Sequence, residues 1–419
     1  MKHSRTSRKK NQYTIYATLG ISFLILLAVI ILAVLPRVFQ KPDTIAPTIT
    51  LKGDSYMLIS YGSTFKDPGV SAADDRDGNL TSSVVSKGSV NTTMYGPQIL
   101  TYTVTDSAGN IETIQRTVVV QEFNAPVLTL SGNELIYVPI GSEYVDPGFS
   151  AVDDTDGDIT DQVVLSDSVD YHTPGTYTLT YTITDSSGNS TSLNRTLKVF
   201  QPQSAEQASN PPGKIVYLTF DDGPGPHTKK LLDLLDKFNV DVTFFVTGQN
   251  EDYFNLIGDA HRRGHTIALH SFSHNLKEIY ANETAYYKDL SKISSVCETQ
   301  TGEKATIVRF PGGTSNTASK KYCVGIMTAL TKSLPAKGYR YCDWNVDSVD
   351  AGGAKSASEV ASNVIRDIQR FSRSYVLLHD TKSYTVEAIE EILYWGLVNG
   401  YTFLPLTPDS EMTHHRANN

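Results

Sequence analysis

Two adjacent carboxylates, Asp221 and Asp222, close the apolar run "KIVYLTF", and Gly223-Pro224 follows at once. Neighbouring acids repel, and a turn needs at most one of them. Other chemistry-bearing side chains end other short apolar runs. "TIAL" ends in "HSFSH", with His270 and His274, and "TIVRF" carries Arg309 just inside "PGG". "YRYCDWN" leads into "VDSVDAGG", which contains Asp350, and "YVLL" ends in His379-Asp380. His270 and His274 are one helical turn apart, a spacing at which two imidazoles can face one ion. Two neutral histidines and a carboxylate form a hydrolytic-zinc ligand set with positions left open for water and substrate. His-x-x-x-His by itself reads equally as two surface histidines, and the Asp-Asp pair at another strand end strengthens the metal reading. The chemistry would be metal-assisted hydrolysis. That reaction needs a polarised carbonyl, a hydroxide at neutral pH and a proton for the departing group.

The elements that must position these residues alternate. "KIVYLTF", "VDVTFFVTG", "TIALH", "ATIVRF", "YVLLH" and "YTFLPL" read as buried strands. "TKKLLDLLDKF" places Leu231, Leu234, Leu235 and Phe238 on one helical face, and further helices run through "AYYKDLSKISSVC", Glu359 to Phe371 and Val386 to Val398. Strand–helix alternation implies a parallel sheet or barrel, in which chemistry gathers at the C-terminal ends of the strands.

"TFDDGP", "HSFSH", "RFPGG", "DSVDA" and "LLH" occur in that order, each at a strand end. Over about residues 214–406 the chain thereby resembles the NodB-type polysaccharide deacetylases, carbohydrate esterase family 4. The resemblance implies an irregular (β/α) barrel and a metal-dependent hydrolase acting on a linear amide. It implies that Asp222, His270 and His274 hold a divalent ion, zinc first, with cobalt, nickel or manganese as other candidates. Asp221 would be the general base and Arg309 its partner. His379 would be the general acid that protonates the leaving amine, with Asp350 holding it in its charged form. Pro311, Gly312, Leu377 and Trp344 would contact substrate: Leu377 lines the slot for the acetyl methyl, and a backbone N–H near Gly312 joins in stabilising the oxyanion. One position departs from the family pattern. Asp350 is followed by Ala351 where a groove-walling Trp is usual, and Trp344 is the nearby candidate to fill that space. The remaining titratable groups read as having no part in the chemistry itself. His261 and His265 flank a Gly at a helix end and read as capping or surface groups, Asp347 reads as a support behind the site and Asp380 as orienting its loop, His227 lies at the site mouth outside the motif core, and His414 and His415 read as incidental in a polar tail.

The N-terminal half is organised differently. "APTITLKGD" from Ala46 and "APVLTLSGN" from Ala125 are offset by 79 residues. The same offset relates Asp67-Pro68-Gly69 to Asp146-Pro147-Gly148 and "TYTVTDSAGN" to "TYTITDSSGN". Alternating β-branched and polar residues between Gly-rich turns predict about seven strands per copy, two all-β sandwiches resembling bacterial Ig-like repeats. The acidic loops "DDRDGN" and "DDTDGD" read as Asp/Gly turns, with a Ca²⁺ loop as the sharper alternative. "IYATLGISFLILLAVIILAVLP", residues 15–36, holds no charge and is preceded by Lys2, Arg5, Arg8, Lys9 and Lys10. It reads as an uncleaved single-pass anchor, with the N-terminus cytoplasmic and the rest outside, and a cleaved signal peptide is the alternative.

The expected multidomain order is thus a cytoplasmic tail (1–14), a transmembrane anchor (15–36), Ig-like repeats (44–121 and 123–200) and a polar linker (201–213). The deacetylase domain (214–406) and a polar tail (407–419) follow. Net charge is −9, and the five basic residues ahead of the anchor stand without an acid, so the rest of the chain carries −14; an acidic body argues against nucleic acid as a partner. The chain has three cysteines, Cys297, Cys323 and Cys342, too few for a disulfide framework. The expected role is removal of N-acetyl groups from a cell-wall polysaccharide, N-acetylglucosamine of peptidoglycan first. Another glycan (chitin oligomers, poly-N-acetylglucosamine, xylan) or a non-catalytic wall-binding surface protein are the alternatives. The oligomeric state has no signature in the sequence.

Overall fold

The computed structural model describes residues 20–29, 31 and 41–418. Of the expected anchor, residues 20–29 and 31 are helical; its remainder and residues 1–14 lie outside the described residues. Among the described residues no helix is long and apolar enough to cross a membrane. The described chain divides into two compact units. The first holds residues up to Pro126 together with Asp153–Gly157 and Thr184–Ser190, and the second holds the rest.

Each repeat folds as seven strands in two sheets. In the first, Thr48–Leu51, Val70–Asp74 and Gly78–Asn79 form one sheet. Tyr56–Ser60, Ile111–Gln121, Gly96–Thr105 and Val85–Lys87 form the other. The second repeat reproduces this arrangement. The period of two turns Leu100, Tyr102 and Val104 inward, as it does Leu179, Tyr181 and Ile183. The shared Asp-Pro-Gly has a structural cause. Asp67 accepts the Tyr102 hydroxyl at 2.7 Å and the Gly69 N–H at 3.0 Å and pairs with the wholly buried Arg116. Asp146 does the same with Tyr181, Gly148 and Arg195. A buried guanidinium is tolerable only when paired in this way.

Residues 201–213 are polar and structured. Ser204 and Gln207 form a capping box on the short helix Ala205–Ser209. Gln203 is buried, and its side-chain amide exchanges two 2.8 Å hydrogen bonds with the backbone of Phe403. Nearby, Phe200 of the second repeat stacks on Phe238 at 4.2 Å, and Tyr137 lies 5.2 Å from Tyr394. The second repeat is therefore packed onto the C-terminal half by aromatic rings.

That half is built on a parallel sheet of eight strands: β1 (Ile215–Asp221), β2 (Thr243–Thr247), β3 (Thr266–Ser271), β4 (Ile307–Val308), β5 (Arg340–Tyr341), β6 (Val346–Asp347), β7 (Arg373–His379) and β8 (Thr402–Phe403). The order is β5-β4-β3-β2-β1-β7-β6, with β8 also pairing with β1. The expected barrel is a curled, open sheet. β5 and β6 are its edges, and four of the strands are only two residues long, too short to carry the pairing around to closure. Helices α1 (Thr228–Phe238), α2 (Asn255–Arg262), α3 (Glu283–Thr301), α4 (Ile326–Ala336), α5 (Ala357–Ile368) and α6 (Ser383–Val398) complete the layer.

Alternation along the strands sorts the side chains. Val216, Leu218, Phe220, Leu269, Val308, Val376 and Leu378 join the large core shared with the helices. Tyr217, Phe245, Ala268, Ile307, Cys342 and Tyr375 form a separate cluster on the other face. On β1, β3 and β7 the next residues on that second face toward the C-terminal ends are Thr219 and Asp221, His270, and Leu377 and His379; Arg309 follows Ile307 in the same way just past β4. The curl thus collects the polar residues at one end of its inner face. Cys297 and Cys342 are buried free thiols, held up in pKa by that burial, and Cys323 is half-buried.

Candidate active site

The end of β1 delivers both acids in different surroundings. Asp221 completes the strand and is buried, while Asp222 adopts φ 69°, a left-handed conformation costly for a non-glycine residue. That turn sends the two carboxylates to different partners. Asp221 Oδ1 accepts from Arg309 Nη1 at 2.8 Å, and its Oδ2 lies 3.8 Å from His270 Nε2. Asp222 Oδ1 lies 3.6 Å from His270 Nε2 and 3.4 Å from His274 Nε2. Gly223 has a cause of its own, because a Cβ there would stand 2.3 Å from Asp380 Oδ1. Asp380 is buried beside this turn and bonded by the Thr228 hydroxyl; burial pushes its carboxyl up to about 7, and the hydrogen bond opposes that.

The donor set fits a divalent cation on the chain's own evidence. Asp222, His270 and His274 each bring a ligand atom to within 4.8 Å of the others. Asp222 Oδ1 is buried without a hydrogen-bond partner, which is expensive for a carboxylate unless a cation answers it. His270 Nδ1 meets the Arg309 carbonyl oxygen at 2.8 Å, so Nδ1 carries the proton and Nε2 presents its lone pair toward Asp222. Burial pushes the His270 imidazole down in pKa, against the pull of Asp221 and Asp222, which favours the neutral ring a metal needs. His274 is held by its backbone, with φ 51°, at the end of a loop organised by Asp289 of α3. Asp289 accepts the Ser271 hydroxyl at 2.6 Å and the N–H groups of Phe272 (2.8 Å) and Ser273 (2.9 Å). Ser271 Oγ in turn accepts the His274 N–H at 2.9 Å.

Arg309 is 0 % exposed and has every nitrogen engaged. Nη1 also donates to Thr219 Oγ1 at 2.6 Å, Nε to the Cys342 carbonyl at 2.9 Å and Nη2 to the Asp343 carbonyl at 2.9 Å. Its Cζ lies 4.1 Å from the Phe245 ring centroid and 5.8 Å from that of Trp344. A fully satisfied guanidinium is an orienting group that holds Asp221 in one place.

On the opposite side His379 ends β7, paired with Asp221 in the β1 register. Its Nδ1 lies 2.7 Å from Asp350 Oδ1, and its backbone N–H reaches Asp350 Oδ2 at 2.8 Å. Asp350 also accepts the Thr385 hydroxyl at 2.8 Å, and its carbonyl accepts Tyr384 Oη at 2.8 Å. Burial pulls the His379 pKa down, but Asp350, Asp221 and Asp222 outweigh it and lift it to about 9. Burial likewise works against the Asp350 carboxylate, and the His379 contacts outweigh it, so its pKa is lowered. Nε2 of a charged His379 faces the site, 3.8 Å from Asp222 Oδ2, in a position from which it is able to donate a proton.

With His379 as the proton donor, activity is expected to fall as pH rises through about 9, where the ring loses its proton. Asp350→Asn removes the charge that raises that value. Its alkaline limb is expected to move about one to two pH units lower. A kcat/KM profile from pH 6 to 10 checks this, and an unmoved limb would mean that another group carries the proton.

The expected substrate contacts are distributed around this centre. Leu377 shares the inner face with His379 two residues on, opposite Thr219 of β1. Pro311 is anchored by Tyr280, whose hydroxyl donates to its carbonyl at 2.8 Å. Gly312 and Gly313 both have left-handed φ, 79° and 73°. Trp344 backs this turn so closely that a Cβ on Gly313 would meet its ring at 2.8 Å. Ala351 is exposed, in a turn after Val349, whose own positive φ is braced by Asp347 Oδ1 accepting its N–H at 2.8 Å.

Two readings of the histidines change. His265, expected to cap or to lie at the surface, is buried, and its Nδ1 accepts the Val242 N–H at 3.3 Å; burial pushes it down to about 4. His414 and His415, expected to be incidental, strap the tail onto the sheet edge. Thr413 accepts the Asp343 N–H at 2.8 Å, His414 stacks on Tyr341 at 4.1 Å, and His415 Nε2 meets the Trp344 carbonyl at 2.6 Å. An uncovered edge strand is a liability, and the tail covers this one. Thr219, Asp289, Thr385 and Asp343 carried no local signal, since each acts across a large sequence separation.

The family profile described as polysaccharide deacetylase matches residues 208–324, and the one described as bacterial surface protein, Ig-like domain matches residues 49–120 and 128–199. A peptidoglycan-N-acetylglucosamine deacetylase of Bacillus cereus is 29 % identical over 196 residues, covering 45 % of this chain and 68 % of that protein. An uncharacterised 30.6 kDa protein of Geobacillus stearothermophilus is 32 % identical over 207 residues, covering 47 % of this chain and 71 % of that protein. The catalytic domain of a peptidoglycan N-acetylglucosamine deacetylase from Eubacterium rectale is 54 % identical, with a TM-score of 0.49 over 50 % of this chain and 96 % of that one.

Proposed function

The chain belongs, through its C-terminal half, to the polysaccharide deacetylase family, and we propose that it hydrolyses N-acetyl groups on the N-acetylglucosamine of peptidoglycan. The observation that carries this reading is the convergence of Asp221–Arg309, Asp222–His270–His274 and Asp350–His379 at one end of a single sheet. The metal, zinc in this reading, would be held by Asp222, His270 and His274, and when bound it polarises the acetyl carbonyl and lowers the pKa of water. Asp221, kept in place by Arg309, accepts the proton of the attacking water. His379 gives its Nε2 proton to the departing sugar amine as the C–N bond breaks, and Asp350 stabilises the ring's charged form. Leu377 bounds the acetyl methyl, and the backbone beside Gly312 faces the oxyanion. Trp344 serves as a wall of the sugar groove in place of a residue at Ala351.

A wall substrate is supported by the Bacillus cereus relative, a peptidoglycan-N-acetylglucosamine deacetylase. The Ig-like repeats act as a spacer, and the uncharged residues 15–36 anchor the chain in the cell membrane with the catalytic half outside. Acetate release and product mass on peptidoglycan, chitin oligomers, poly-N-acetylglucosamine and acetylxylan test the substrate. Faster release from any of the last three rejects peptidoglycan, and release from none rejects the activity. Recovery of the chain in the high-salt-soluble fraction, instead of the detergent extract of membranes, rejects the anchor.

A further inference from the structure

Glu122, Asp153 and Asp154 each bring a carboxylate oxygen to within 4.8 Å of the others, and all three belong to the first compact unit. Asp153 is 5 % exposed. Its Oδ1 accepts the N–H groups of Thr155 and Asp156, both at 2.9 Å, so one oxygen already satisfies the loop. Its Oδ2 is buried and has no hydrogen-bond partner. A buried, unpaired carboxylate oxygen beside two more carboxylates is costly unless a cation answers it. The surroundings also hold the neighbouring acids. Asn189 Nδ2 donates to the Glu122 backbone carbonyl at 3.3 Å and to Asp185 Oδ2 at 2.8 Å, Ser187 Oγ donates to Glu122 Oε2 at 3.5 Å, and Asn124 Nδ2 donates to Asp154 Oδ2 at 2.9 Å.

The internal repeat supplies a control within the same chain. The positions 79 residues earlier are Asp43, Asp74 and Asp75, also clustered, with Asp74 Oδ2 likewise buried and unpartnered. There a guanidinium stands at the edge of the cluster: Arg76 Nε lies 3.7 Å from Asp43 Oδ2 and Arg76 Nη1 donates to the Lys41 carbonyl at 2.9 Å, which neutralises Asp43 and leaves Asp74 Oδ2 unanswered. The residue at the position of Arg76 in the second copy is Thr155. Among the described residues no ion pair joins a basic side chain to Glu122, Asp153 or Asp154. The second copy keeps the acids and lacks the arginine.

We propose that Glu122, Asp153 and Asp154 bind a calcium ion, and that Arg76, by neutralising Asp43, weakens the equivalent site in the first repeat. All-carboxylate oxygen donors on a turn of irregular geometry suit Ca²⁺ better than the smaller, strictly octahedral Mg²⁺. The test is calorimetric titration of the purified full chain with calcium chloride, and with magnesium chloride in parallel. The expected result is one Ca²⁺ per chain with Kd of about 10⁻⁴ to 10⁻³ M, the range of extracellular modules. Asp153→Asn keeps the oxygen that caps the loop and should weaken binding at least about tenfold. Thr155→Arg removes no ligand and should do the same, which keeps the proposal testable if Asp153→Asn fails to fold. Both variants should release acetate at the wild-type rate, and His270→Ala should leave the calcium isotherm unchanged. Calcium binding that survives both loop variants, that disappears in His270→Ala, or that magnesium matches in affinity overturns the assignment, as does the absence of binding.

Discussion

Asp221→Asn is expected to lower kcat for acetate release by about 10³-fold or more while leaving the divalent metal bound. Asn retains an oxygen that can accept from Arg309 Nη1, now at 2.8 Å from Asp221 Oδ1, so the site keeps its shape. It has no second oxygen able to take a proton beside His270. The buried Arg309 would lose its only carboxylate partner among the described residues, so a stability loss of about 3 kcal/mol should accompany the change. Kinetics on acetylated glycan, metal content per chain and thermal unfolding separate the two effects. Activity above a tenth of wild type in a folded, metal-loaded variant would show that Asp221 is not the base.

His270→Ala is expected to abolish activity by a different route, through loss of the metal. Asp222 and His274 remain, but two ligands of a three-ligand set hold a divalent ion weakly, and affinity should fall at least about 100-fold. Metal content by mass spectrometry and a zinc titration read this without reference to turnover. Chelation of the wild-type chain should reproduce the loss, and added zinc should reverse it. The imidazole also bonds the Arg309 carbonyl at 2.8 Å, so the variant needs a spectroscopic check of its fold. Full activity with an empty site would remove the metal from the mechanism.

The two effects differ because the paired acids stand in different surroundings. Asp221 lies on the strand, buried, with its charge answered by Arg309; Asp222 lies one residue on, turned by a left-handed φ toward two imidazoles.

Much of this centre was legible in the linear chain because it depends on short-range chemistry. An acid pair, a His-x-x-x-His and an Arg-x-Pro-Gly-Gly each end an apolar run, and strand ends in a parallel sheet share one rim. The repeat was legible for the same kind of reason: a gapless offset of 79 residues carries Asp67, Tyr102 and Arg116 onto Asp146, Tyr181 and Arg195. What stayed hidden depends on long-range contacts. Asp289 organises the 271–274 loop from a helix, and Thr219 and Phe245 cradle Arg309 from other strands. The tail residues 413–415 cover an edge that exists only once the sheet is formed.

The amino-acid sequence alone determined which side chains could do the chemistry and that strands would present them, because residue type and two-residue alternation are local properties. It also determined the two sandwiches, since the repeat copies its own turns. Only the tertiary structure decided that the sheet stays open and that His265 is a buried structural ring. It also decided that Trp344 stands behind the Gly312-Gly313 turn, and that Thr155 leaves three carboxylates without the arginine found in the preceding repeat. Those outcomes depend on which residues distant in sequence come within a few ångströms, where burial and the charges already present set the cost of each group.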